Sequence, residues 1–531
     1  LVAPPEQKKE HFIGTIITKQ RIAEKIGESK YDLIDGQQRL TTISLLLKAI
    51  ANTATEGPEF PELKKLTNDL LSFKDSRGKA NIRLAHSKND KDYFEAVIND
   101  ADLSTLPNQE HKIIKGYKFF IEKLADISDE ERDNLKAVVL ERVPIISMLL
   151  GSDDDEQEIF DTINSLGARL TTGELLKNFI FKDKTLQSHY SELWEKVFET
   201  DEESILFWEK NKTSGRIIRT NIELLLYCYL IIKTQKEVKL EKLFAEYKDW
   251  LKSKSVEEKK EFLTELKEYA SIYEGFPEGA DLKEFEYSEV EKRFFHTIEN
   301  LEISTVYPLV LYIYRHVKDQ TQRNQMLAVL ESYLVRRAIC KRTTKNYNNL
   351  FIHIISLLED KKQVSKDPLL NLLLDFKVDT NLFPDDKELE SAIYNNAFSN
   401  QASRIFLFTI ALKSFDDPLS DVKKLAFDSY TVEHLMPVKW EENWGDSSLT
   451  PIQKIHREKW IKSLGNLTLV TGKMNRKMQN SAWPVKVSKL ESNSRLKLTE
   501  KYIKLPVWNE TAIESRSGDI AALALDCWKR G

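Results

Sequence analysis

Near the C-terminus, Glu433-His434-Leu435-Met436-Pro437 is followed by Gly465-Asn466-Leu467-Thr468-Leu469-Val470 and then by Asn475. No other stretch constrains the local fold so tightly. It calls for a histidine at the end of one strand, an asparagine opening a second, and a polar residue on the helix that follows. A one-metal phosphodiesterase of ββα type needs this order. Its chemistry requires an activated water, an electrophile for the charged transition state and help for the leaving oxygen. An imidazole titrates near neutral pH, so His434 is expected to be able to take a proton from water. Asn466 can fix the tautomer or orientation of the ring. Glu433 and Asn475 offer oxygens suited to Mg²⁺ or Mn²⁺. A lone histidine is more often structural, so the weight lies on the combination.

The charge distribution adds a partner. The whole chain of 531 residues carries a net charge of −5, which argues against a general nucleic-acid coat. Between Tyr430 and Leu505, however, 14 Lys/Arg face 7 Asp/Glu. Neutralising a phosphate backbone needs such a local excess. Composition, with 41% hydrophobic and 31% charged residues, is that of a soluble globular protein of two or three domains. No apolar run is long enough to span a membrane. Cys228, Cys340 and Cys527 are widely separated, which speaks against a zinc site or disulfide framework and fits a reducing cytoplasm. Leu1-Val2-Ala3-Pro4-Pro5 reads neither as a signal peptide nor as a translation start, so a preceding segment is expected.

Three regions are expected along the chain: 1–185, 186–395 and 396–531. The first mixes strand and helix. His11–Thr18 and Tyr31–Ile34 read as strands. Asp35-Gly36-Gln37-Gln38-Arg39 reads as a polar turn, and Leu40–Ile50 as a helix that Thr41 or Thr42 can cap. A second polar turn spans Ile159–Thr172, ahead of a helical run from Glu174. The acidic run Asp153–Glu156 is expected to start a helix. From about Asp183 to Asn395 the pattern is almost wholly helical, with Ile222–Leu230 buried, Lys252–Lys267 amphipathic, and loops at Gly275–Gly279 and Phe383–Asp386.

The turn at Asp35 is a candidate anion site. Between a strand and a helix it presents backbone N–H groups at a positive helix end, and Arg39 adds a planar cation. Asp35 can hold a metal or orient a water, while Gln37 and Gln38 can read a base or sugar. The competing reading is a structural turn in which Asp35 and Arg39 pair with each other. It is not a P-loop: Gly472-Lys473 has Met474 next and lacks the upstream glycine.

The segment Asp35-Gly36-Gln37-Gln38-Arg39-Leu40-Thr41-Thr42 resembles the signature of GmrSD-type, modification-dependent (type IV) restriction enzymes. Phe160…Asn164…Gly167…Leu170…Glu174-Leu175-Leu176-Lys177 resembles the same domain's other block. Glu-His-x-x-Pro, Gly-Asn-Leu-x-Leu and Asn475 resemble the HNH module at the other end of that family. The connector around Arg336-Arg337 and the close near Trp528 resemble it too. The resemblance implies an α+β, predominantly helical chain: an N-terminal ParB/sulfiredoxin-like α/β domain, a helical middle, and a C-terminal helical domain containing a ββα-metal HNH module.

It further implies a nucleoside triphosphate (GTP, UTP, CTP or ATP) at Asp35, Gly36, Gln37, Gln38, Arg39, Thr41 and Asn164, with Arg169 as a weaker candidate. His434 would be the base, Asn466 the orienting residue, and Asn475 the third motif residue. Metal ligands would be drawn from Glu433, Asn475 and Asn480. DNA contacts would come from Lys473, Arg476, Lys477, Lys486, Arg336 and Arg337. The implied activity is nucleotide-dependent cleavage of double-stranded, modified phage DNA, with glucosylated or hydroxymethylated cytosine as examples, in the bacterial cytoplasm, and with a homodimer as one possible assembly. Two alternatives stay open within this resemblance: a phosphorothioate-sensing defence nuclease, and a ParB-like nucleotide-switched clamp without cleavage. A nuclease toxin acting on RNA or host DNA is a third.

Overall fold

β-Branched residues dictate the first sheet, because they pack well on a pleated surface. In the computed structural model, β1 (Thr15–Gln20) pairs antiparallel with β2 (Tyr31–Asp35), and Ile17 is fully buried. The structure describes residues 10–21, 30–55, 62–75, 78–86, 88–151, 171–214, 217–415, 424–445, 448–493 and 496–531. The first strand begins at Thr15 rather than at His11, just after Gly14 turns the chain with a φ of 112°. Gly36 ends β2 and caps α1 (Gln37–Thr53) with a φ of 97°. Only glycine suits this position. The left-handed backbone disfavours other residues, and a Cβ there would lie 2.7 Å from Ile16 Cγ2.

The helix therefore starts at Gln37, three residues earlier than its apolar periodicity suggests. Thr41 and Thr42 are not caps. Their hydroxyls bond back to the carbonyls of Gln37 and Gln38, inside the helix. A parallel strand, β3 (Ile146–Leu150), completes the order β2-β1-β3. The second polar turn, with Asn164 and Arg169, and the acidic run Asp153–Glu156 lie outside the described residues.

Chain contacts group residues 1–169 and residues 170–531 into two units. The second opens with α2 (Thr172–Phe181), whose capping box joins Thr171 and Glu174. Leu176 and Ile180 enter the core of the helical middle, and Gly173 lies so close to Ile222 that a Cβ would fall 2.7 Å from its Cδ1. Helix Asn221–Thr234 carries the expected apolar run, whereas the amphipathic helix expected from Lys252 begins at Val256, because Lys252 ends the preceding helix and Ser255 caps the next; Asp385 caps the helix after Phe383-Pro384. A short ladder, Asn211–Ser214 with Ile217–Thr220, interrupts the helical run. No helix among the described residues is long and apolar enough to cross a membrane.

The elements that matter most for function come later. They are α3 (Val290–Asn300), α4 (Gln320–Ile339), α5 (Asn400–Ser414), β4 (Tyr430–His434), α6 (Pro451–Ile461), β5 (Leu467–Thr471), α7 (Gly472–Met478), α8 (Trp483–Asn493) and α9 (Glu510–Cys527). β4 and β5 pair antiparallel, from Tyr430 opposite Thr471 to His434 opposite Leu467. Side chains alternate across a strand. Leu467 and Leu469 accordingly enter a core shared with Val335 and Ile339 of α4 and Phe408 of α5, while Val470 enters a second core with Met436, Trp440, Trp460 and Trp508. The small sheet is thus held between two apolar masses.

On α3, His296 is buried against Phe427, Phe285 and Phe408, with ring centroids 4.4, 5.0 and 5.6 Å away. Phe427 lies just ahead of β4. Neither ring nitrogen of His296 has a hydrogen-bond partner. Burial, with the nearby Arg404 charge, pushes its pKa down to about 3. The folded ring stays neutral where the unfolded chain, titrating near 6.5, takes up a proton. Stability is therefore full above about pH 6.5 and falls as the pH drops toward 3. Urea unfolding between pH 7.5 and 5 should show this slope, and His296→Phe should flatten it.

Candidate functional site

His434 ends β4, and the chain then turns across Leu435, Met436 and Pro437 to Trp440. Its ring is half-buried. Desolvation, followed by the positive charge of Lys486, pushes its pKa down to about 4. The imidazole is thus neutral, and able to accept a proton, at neutral pH.

Asn466 immediately precedes β5 and is wholly buried. Its Oδ1 accepts from the Met436 N–H at 2.8 Å and from Trp508 Nε1 at 3.0 Å. Its Nδ2 donates to the carbonyls of Met436 at 2.8 Å and Ile461 at 2.9 Å. The carboxamide is fully engaged, which corrects the expectation that it touches the His434 ring. Instead it holds the backbone two residues beyond His434, and the Leu435 N–H adds a bond to the Asn466 carbonyl at 2.9 Å. Asn466 positions the histidine through the main chain.

Sequence reasoning missed the support beneath this clamp. Arg516 of α9 is fully buried and donates to the carbonyls of Gly465 at 2.8 Å and Leu467 at 2.7 Å, on either side of Asn466. Burial lowers its pKa to about 10. Gly465 lies so close to α9 that a Cβ would meet Ser517 Oγ at 2.2 Å and the Ile513 carbonyl at 2.5 Å. The available signal was an arginine in line with Ala512, Ile513 and Ile520 on the apolar face of the last helix.

Asn475 sits on α7, which packs on both strands. Its Nδ2 donates to Thr431 Oγ1 at 3.1 Å and to the Val432 carbonyl at 2.9 Å. This fixes the side chain beside β4 and leaves Oδ1 as its remaining donor atom. Asn480 lies beyond the end of α7. It bonds to Glu442 at 3.3 Å, and its carbonyl accepts from Asn443, so it braces a loop instead of lining the histidine.

Glu433 is the second correction. Its carboxylate is almost wholly buried and pairs with Lys486 Nζ at 2.5 Å. Burial raises the Glu433 pKa and lowers that of Lys486, while each opposes the other's shift. Lys486 also donates to the His434 carbonyl at 2.6 Å. This lysine has no exposure and is not a phosphate contact. Among the described residues no group of three His, Cys, Asp or Glu is placed to hold a metal. The oxygen donor left beside β4 is Asn475 Oδ1. One carboxamide oxygen fits a hard cation that keeps most of its water, as Mg²⁺ does, and does not fit a closed protein cage.

The basic residues divide clearly. Lys473, Arg476 and Lys477 are exposed on α7, next to the motif. Arg336 and Arg337 on α4 are buried. Arg336 pairs with Asp386 at 2.8 Å and donates to the Trp528 carbonyl at 2.5 Å. Arg337 gathers the carbonyls of Leu382, Thr343 and Thr380 at 2.7 Å each, and its guanidinium lies over the rings of Tyr333 and Tyr347. The twin arginine is buried within the helical connector, which corrects the expectation of an exposed DNA contact.

In the first unit, Asp35 Oδ2 and Arg39 Nη1 pair at 3.0 Å, and the same nitrogen donates to the Thr15 carbonyl at 2.6 Å. Gln37 and Gln38 are exposed; Gln37 Nε2 reaches back to the Leu33 carbonyl at 3.2 Å. The Thr41 hydroxyl lies 2.8 Å from His86 Nε2. The first turn of α1 has no side-chain cap and no acidic residue. Its leading N–H groups have no side-chain cap, while the Arg39 guanidinium is engaged by Asp35 and the Thr15 carbonyl.

Two family models match this chain. The GmrSD restriction endonuclease N-terminal domain matches residues 3–181, and the GmrSD restriction endonuclease C-terminal domain matches residues 383–523. Together they span more than half of the chain. These matches imply a DNA-cleaving enzyme of the restriction class. The chain belongs to the GmrSD restriction endonuclease family. No curated protein matches it. The N-terminal match runs through α2, which packs in the second unit.

Two consequences follow for measurement. Asn466→Ala strands the Met436 and Ile461 backbone groups, and should lower unfolding free energy by about 2–5 kcal/mol in chemical denaturation. Lys473→Ala and Lys477→Ala should each reduce the salt slope of DNA binding by about 1. Arg337→Met should instead destabilise the fold by about 3 kcal/mol or more.

Proposed function

We propose that this chain is a nucleoside-triphosphate-dependent DNA endonuclease of bacterial phage defence that cleaves modified foreign DNA. The observation that carries the reading is a neutral, backbone-clamped His434 beside a helix bearing exposed Lys473, Arg476 and Lys477. Those cations bind phosphates and seat the strand over β4 and α7. His434 takes the proton from the attacking water. Asn466 and Arg516 keep its segment in place, so little reorganisation accompanies the step. Asn475 Oδ1 would hold a divalent cation, which when bound supplies a Lewis acid for the phosphate oxygens.

The nucleotide is assigned to the strand–glycine–helix junction of the first unit. Gly36 leaves the first turn of α1 without a side-chain cap, and Asp35 pairs with Arg39 at the same junction. The phosphates would accept from the leading N–H groups of α1. Asp35 keeps Arg39 in place until an anion competes for it. Gln37 and Gln38, both exposed, face the base or sugar. Tying cleavage to this site protects host DNA, because a competent state that is rare without ligand cuts little.

The test compares plain, glucosylated or hydroxymethylated, and phosphorothioate DNA, with and without each nucleotide, in Mg²⁺ or Mn²⁺. Cleavage should require both nucleotide and modified cytosine; equal cutting of plain DNA without nucleotide overturns the gated reading. His434→Ala should lose about 10²–10⁴-fold in rate while melting at the parent temperature. Asp35→Ala should abolish nucleotide hydrolysis, and full retention removes the junction as the nucleotide site.

A further inference from the structure

Glu433 stands next to the candidate base, where the sequence marks a carboxylate for metal. Alternation along β4 turns it to the face opposite His434. There it meets Lys486 of α8. Both groups are sealed: the lysine is wholly buried and the glutamate nearly so. One ammonium spans two acceptors, Glu433 Oε1 at 2.5 Å and the His434 carbonyl at 2.6 Å. A buried ammonium without a counter-charge is strongly unfavourable, and so is a buried carboxylate. The pair therefore forms as a unit. A divalent cation at the same carboxylate would lie within ion-pair distance of the ammonium, in a place where water does not screen the repulsion.

We propose that Lys486 is a positioning residue of the cleavage site. Its ammonium occupies the place of a cation at Glu433 and fixes the end of β4, and Glu433 is its counter-ion, not a ligand of the catalytic metal. This rests on the reading of His434 as the base. The lysine acts through the main chain of His434, while Asn466 holds the two residues that follow. The His434 carbonyl and the peptide groups just beyond it are thus engaged.

The experiment uses the full chain as parent, Glu433→Gln, Lys486→Met, Lys486→Arg and Asn475→Ala. Mn²⁺ binding is measured directly from the free-ion electron paramagnetic resonance signal, and the half-saturating Mn²⁺ for cleavage is measured in parallel. Thermal melts report folding. Glu433→Gln should keep both Mn²⁺ values within about two-fold, whereas Asn475→Ala should weaken them. Lys486→Met should cut on the order of 10²-fold more slowly at unchanged half-saturating Mn²⁺, and Lys486→Arg should recover part of the rate. A ten-fold or greater loss of Mn²⁺ affinity in Glu433→Gln overturns the proposal. So does parental cleavage by Lys486→Met. Should either single variant fail to fold, Glu433→Gln combined with Lys486→Met replaces both charges with neutral groups of similar shape, and the same Mn²⁺ comparison decides. If the parent binds Mn²⁺ but cuts no DNA, the nuclease reading fails, while the Mn²⁺ comparison still judges Glu433.

Discussion

The carboxamide of Asn466 closes four hydrogen bonds at once, to the N–H and the carbonyl of Met436, to the Ile461 carbonyl and to the indole of Trp508. The C-terminal part of the second unit depends on that closure. It joins the end of β4, the start of β5, the end of α6 and the segment before α9. Arg516 encloses the same peptide run from below and takes the carbonyls on either side of it. A buried amide leaves no tolerance, because every donor or acceptor without a partner costs free energy. The price of this rigidity is a pair of long-range contacts that must all form together. The benefit is a histidine whose backbone has few alternatives.

Charge in this protein serves two purposes, which burial separates. Lys473, Arg476 and Lys477 face water and can exchange it for phosphate. Arg336, Arg337, Arg516 and Lys486 face inward and satisfy carbonyls or a carboxylate. Arg337 shows the principle most plainly: it neutralises no carboxylate in its own pocket, but organises a ring of carbonyl groups between α4 and the loops after it. A planar guanidinium with five donors suits that task. The same residue types that suggest nucleic acid in a sequence can therefore hold a helical connector together.

Much of the site was legible before the structure. The order strand, strand, helix around His434, Asn466 and Asn475 follows from the residues, because a β-branched or leucine-rich run, a glycine and a polar start mark each element. The mostly helical middle was legible from apolar spacing. The N-terminal junction was only partly so: periodicity marked α1 from Leu40, whereas Gly36 opens the helix at Gln37. Polar residues in a first helical turn carry no apolar signal, so a reading based on periodicity begins too late. The pairing of Asp35 with Arg39 was one of two readings of the turn. It is present, and it coexists with an uncapped helix end.

By itself the sequence determined which chemistry is at hand: an imidazole at a strand end, an asparagine before the next strand, a carboxamide on a basic helix, and a glycine that only a helix-opening turn requires. Spacing and residue type suffice there, because local backbone preferences decide them. Tertiary structure alone decided what each polar group is free to do. Glu433 is bound to a lysine more than fifty residues downstream, Asn466 is spent on backbone groups and the Trp508 indole, and Arg336 and Arg337 lie in the interior. Those outcomes depend on which side of a strand or helix is covered by segments distant in the chain. Burial then decides whether a charge meets water or another charge.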